Sequence, residues 1–145
     1  MIFVTACIPP SEYDFPREGS ELSEHGAGPS LSDLVVWQQA LSLVSEVYWL
    51  TQEFPSDERH GLTAQIRRAA VSVPSNIAEG QGRCSTGELR QFLGHARGSL
   101  LELETQLLIA NNLGYLTGAT SAGMGRHIEK VGQMLNALLN SLRDR

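Results

Sequence analysis

Cysteine is scarce: the 145 residues hold two, Cys7 and Cys84. They form no Cys-x-x-Cys pair and no zinc spacing, which excludes a disulfide framework and a thiolate zinc site. This usage points to a reduced, cytoplasmic protein. Long apolar runs are also missing, since no stretch approaches the roughly 20 residues that a membrane-spanning helix needs. Val4-Thr5-Ala6-Cys7 resembles a lipoprotein cleavage box, but it has no basic leader and its apolar segment is too short. Positive charge is thin. The net charge is -5 and Lys130 is the only lysine. Glu12, Asp14, Glu18, Glu21 and Glu24 against Arg17 place -4 of this in residues 1–30, leaving -1 for the remainder. Such a chain builds no strong field to attract nucleic acid or an anionic membrane.

What the sequence does contain is helical periodicity. Residues 1–30, with Pro9, Pro10, Pro16 and Pro29 among Gly, Ser and Glu, have no period and read as a flexible acidic tail; translation from upstream of the true start gives the same pattern. Residues 31–145 hold four amphipathic segments, enough for one domain with a core. A first helix is expected from about Asp33 to Glu53. Leu34, Trp37, Leu41, Val44 and Tyr48 form a heptad seam on it, beside a second stripe of Val36, Ala40, Leu43, Val47 and Leu50. Two stripes exceed what one bundle core takes from one helix. Trp37 and Trp49 read as packing residues, and Phe54-Pro55 ends the helix.

A second helix is expected from about Asp57 to Gly82, with Ser56 as N-cap and Pro74 inside it, where a missing donor and a clash with the Ala70 carbonyl predict a kink. The third begins at a capping box, Ser85 to Glu88. Its seam is Leu89, Leu93, Ala96, Leu100, Leu103, Leu107 and Ala110, and Gly114 follows as its stop. Gly94, Ala96 and Gly98 make it thin, which suits a closely approaching neighbour helix. The fourth, from about Ser121 to Arg143, carries Met124, Ile128, Val131, Leu135, Leu138 and Leu142, with Gly123 and Gly125 weakening its first turn. Short connections and no strand pattern give an all-α, antiparallel up-down-up-down four-helix bundle.

The second helix also carries an ordered polar row: Arg68, Ser72, Asn76, Glu79 and Arg83. Ser72 as nucleophile, Asn76 as amide, Glu79 as base and Arg83 as anion clamp form one reading. No His or Cys at helical spacing activates Ser72, and no glycine loop cradles phosphate. The plainer reading is a hydrogen-bonded row at a helix or subunit interface, with Glu79 paired to Arg83 or Arg97 and Asn76 and Glu79 half-buried. Arg90, Arg97, Glu104 and Asn111, seven apart, either pair with that row or face water. Arg67, Arg68, Arg83, Arg90 and Arg97 form either a basic patch or, with acidic residues interleaved, a mixed solvated face. No Glu-x-x-His pair occurs, and His25, His60, His95 and His127 share no ligand spacing. The residues thus point to no catalytic group, no cofactor and no metal.

The strings DLVVWQQA at Asp33–Ala40, EFP at Glu53–Pro55, LTAQIRRAAVSVPSNIAEG at Leu62–Gly80, QFLGHARGSLLELETQLLIA at Gln91–Ala110 and NLGYL at Asn112–Leu116 resemble the four-helix-bundle proteins encoded in 23S ribosomal RNA intervening sequences. The resemblance covers about residues 31–140. It implies a cytoplasmic bacterial four-helix bundle, a homopentameric ring and no assigned molecular function, hence a non-enzymatic scaffold or interaction module. A distant branch, the accessory variability determinants of diversity-generating retroelements, is similar in fold and binds nucleic acid through basic surfaces. The near-neutral bundle departs from that branch, so nucleic-acid binding is the alternative reading and is disfavoured by charge.

Overall fold

The computed structural model describes residue 31 and residues 34–143. The expected acidic tail lies outside the described residues. Among those described, no strand occurs. The helices are α1 Val35–Leu50, α2 Leu62–Gln81, α3 Thr86–Asn112 and α4 Gly118–Ser141, with single 3-10 turns at Thr51–Glu53 and Ser56–Glu58. None is long and apolar enough to cross a membrane.

One apolar cluster draws on all four helices. Each helix packs against the next, and α4 closes against α1. In α2 and α3, Gly80 lies against Phe92 and Leu89, while Ser72 meets Ser99; the pairing advances in opposite senses, so the two helices are antiparallel. The same holds for α3 and α4, where Gly132 faces Leu100 and Asn136 faces Arg97. The core members of α3 are Leu93, Ala96, Leu100, Leu103, Leu107 and Ala110, and those of α4 are Met124, Ile128, Val131 and Leu135, as the heptad spacing predicts. Each fully buried leucine contributes roughly 1.5–3 kcal/mol.

On α1 it is the second stripe that enters the core. Val36, Ala40, Leu43 and Val47 are buried, while Leu34, Trp37 and Val44 are half-buried against it. Tyr48, at the end of the expected seam, is exposed. Trp49 is also exposed rather than packed, at 51%, because it lies off both stripes. His127 Nδ1 on α4 reaches Glu46 Oε1 on α1 at 3.0 Å.

The helix ends show which local signals govern. Ser85 caps α3 by accepting from Glu88 N–H at 3.2 Å and donates its hydroxyl to the Glu88 carboxylate at 2.8 Å. At the other end Gly114 takes φ +79. Its N–H donates to Asn111 O and Tyr115 N–H donates to Ala110 O, both at 3.0 Å, which is the Schellman closure that needs a residue without Cβ. Ser56 does not cap α2. It opens a 3-10 turn, and α2 starts at Leu62, whose N–H is capped by Glu58 Oε2 at 2.9 Å. A carboxylate one turn back thus satisfies the Leu62 donor, which lies six residues beyond Ser56. Tyr115 donates to the other Glu58 oxygen at 3.2 Å and packs its ring 5.5 Å from Phe54. Desolvation, then the adjoining Glu58 carboxylate, raise the Tyr115 pKa. α4 begins at Gly118, before the doubtful glycines, because Thr117 caps it by accepting from Thr120 N–H at 3.2 Å. α2 continues across Pro74. The next two side chains donate one turn back, Ser75 to Val71 O and Asn76 to Ser72 O, each at 2.8 Å.

Candidate functional site

The polar row of α2 divides into parts with different surroundings. Ser72 and Asn76 are half-buried. The Asn76 amide donates to the Ser72 carbonyl at 2.8 Å and to its hydroxyl at 3.0 Å. Ser72 and Ser99 hydroxyls stand 2.9 Å apart across the α2–α3 contact. This is a closed hydrogen-bonded knot of neutral groups. Ser72 has a second serine and an amide beside it and no base, so the knot cannot activate a hydroxyl. Ser99 is its missing member in the sequence reading; finding it requires the α2–α3 register.

Glu79 and Arg83 form an ion pair, as the spacing predicts, but Glu79 is 52% exposed rather than half-buried. Glu79 lies three residues past Asn76 on the exposed side of the helix, and water screens the pair. The Arg83 guanidinium lies 4.8 Å over the Phe92 ring. Arg97 does not join Glu79. It reaches Asn136 Oδ1 on α4 at 3.5 Å. Arg68 is exposed nearer the start of α2 and makes no hydrogen bond or ion pair with the row among the described residues.

Six of the arginines line two grooves, and Arg83 lies in neither. Between α3 and α4 lies an open groove of about 710 Å³ lined by Arg90, Arg97 and Arg143 with Gln91, Asn136 and Asn140. Its lining holds no carboxylate, so a cationic face exists within a chain of net negative charge. Between α1 and α2 lies a groove of about 410 Å³ walled by Tyr48 and Val71, with Arg59, Arg67, Arg68 and Thr63. Arg67 is held there by its Nε donating to Thr51 Oγ1 at 2.8 Å and by stacking 4.6 Å over Tyr48.

The glycines of α3 have no close neighbour. A Cβ built at Gly94 or Gly98 meets nothing within 4 Å, whereas the close approaches occur at Gly80, where it would come 2.9 Å from Phe92 Cβ, and at Gly132, 3.4 Å from Leu100. Among the described residues, then, Gly94 and Gly98 make no close helix-helix contact. They continue instead into a row on the outer face of α3, where Leu101 and Leu108 are 54% and 56% exposed.

Among the described residues no three His, Cys, Asp or Glu side chains gather. Three buried polar atoms have no partner among them: Thr63 Oγ1, Gln106 Oε1 and His127 Nε2. They lie on separate helices, α2, α3 and α4.

A family model described as 23S rRNA-intervening sequence protein matches residues 32–137. No curated protein matches the chain.

Proposed function

The chain belongs to the 23S rRNA-intervening sequence protein family, and from that premise we propose a cytoplasmic, bacterial, non-enzymatic scaffold. It assembles with copies of itself, as a pentameric ring, and presents the assembled surface to a protein partner, without cofactor or metal. The observation that carries this reading is the outer face of α3. Leu101 and Leu108 stand more than half exposed at heptad spacing, with the open glycines Gly94 and Gly98 behind them. A solvent-facing row of this kind suits coverage by another molecule.

One observation favours a second reading, a nucleic-acid-binding accessory protein: the cluster of Arg90, Arg97 and Arg143 on α3 and α4. Arginine suits bidentate phosphate contact, but three arginines neutralise few phosphates, so affinity and its salt slope should both be small. Affinity capture from the native host, with protein and RNA both sequenced, separates the readings. The scaffold reading predicts a stoichiometric protein partner and no RNA enrichment. Enrichment of one RNA class, with nanomolar binding that is lost steeply as salt rises, replaces it with the second.

A further inference from the structure

We propose that the outer row of α3 in one copy seats in the α1–α2 groove of a second copy. The inference rests on the homo-oligomeric reading and names the two surfaces that meet.

Carboxylates flank Leu101 on α3, with Arg97 one turn before it held by Asn136, and arginines flank Tyr48 and Val71 in the groove. The α3 row projects Leu101 and Leu108, with Glu102 and Glu104 exposed beside Leu101. Glu104 has no hydrogen-bond or ion-pair partner among the described residues, and Glu102 meets the Gln106 amide. The groove offers apolar walls, Tyr48 and Val71, which are 42% and 40% exposed. Arg59, Arg67 and Arg68 stand around them. No carboxylate among the described residues pairs with those three arginines. Arg67 is already fixed by Thr51 and Tyr48, so ordering it on docking costs little rotamer freedom. Leucines entering between Tyr48 and Val71 bring Glu102 and Glu104 up to the arginines, and each patch supplies what the other lacks.

The patches belong to different helices of the same chain. A contact between unlike patches is heterologous, so each copy uses its row on one neighbour and its groove on another, and a rotation between copies that closes gives a ring.

The test uses two full-length variants. Leu101→Asp with Leu108→Asp spoils the row, and Val71→Asp spoils the groove. Both change exposed residues, and far-ultraviolet helicity reports whether each remains folded. By light scattering, each variant alone should fall from the assembled mass to that of one chain. Mixed in equal amounts, they should form a two-chain species, because one intact row still meets one intact groove. A second arm uses charge alone, Glu102→Lys with Glu104→Lys against Arg67→Glu with Arg68→Glu. Each pair should weaken assembly at least tenfold, and mixing the two should restore pairing. Variants that keep the wild-type mass would place the interface elsewhere and leave the homo-oligomeric reading standing. Variants that dissociate but never pair when mixed would overturn the row-to-groove geometry. A wild-type protein that is itself a single chain would overturn the reading and the interface together.

Discussion

The two faces of α3 carry similar spacing and opposite fates. On the inner face Leu93, Ala96, Leu100, Leu103, Leu107 and Ala110 are all buried. On the outer face Gly94, Gly98, Leu101 and Leu108 are all exposed. One helix therefore presents two rows, and the folded chain uses one. Periodicity marks a row as suited to contact. It does not say whether the contact lies within the chain or between chains.

Substitutions sharpen this contrast in a definite order. The largest effect is expected on the inner face: Leu103→Ala, at a fully buried position, should cost about 2–5 kcal/mol by thermal or denaturant unfolding, from lost burial and the cavity left behind. A cost below about 1 kcal/mol would mean that the inner row is not the core. Next is Gly80→Ala. Its Cβ would press on Phe92 and Leu89, and overpacking of this kind costs about 1–3 kcal/mol. Unchanged stability there would show that α2 and α3 are less tightly joined than their geometry indicates.

Asn76→Ala removes two donated hydrogen bonds at the half-buried knot and should cost about 1 kcal/mol. Equal tolerance of Asn76→Ala and Ser99→Ala would argue against a structural role for the knot. Gly94→Ala reverses the sign of the same exchange at Gly80. Nothing lies within 4 Å of its Cβ, so relief of the glycine penalty should stabilise the chain by about 0.5–1 kcal/mol. Smallest is Glu79→Gln, at an exposed ion pair, expected within about 0.5 kcal/mol.

Much of this architecture is legible in the sequence, for local reasons. The seams of α3 and α4 follow from spacing alone. Ser85 and Gly114 mark the ends of α3 because each satisfies orphan backbone groups within a few residues of itself. What escaped was set at longer range. The choice between the two stripes of α1 is made by the helices it packs against. The fate of the polar row depends on Ser99 and Asn136, which lie 27 and 39 residues from their partners Ser72 and Arg97. The start of α2 escaped for a subtler reason. Ser56 has the right chemistry for an N-cap, but Glu58 reaches forward to the Leu62 N–H, and side-chain reach is not visible in residue type.

The central claim is that the outer face of α3 is covered by another copy of the chain. Light scattering of the unmodified protein at micromolar concentration tests it most directly. The account predicts a mass about five times the 15.8 kDa of one chain, that of the pentameric ring proposed above. A mass of 15.8 kDa, unchanged on raising the concentration, would contradict it.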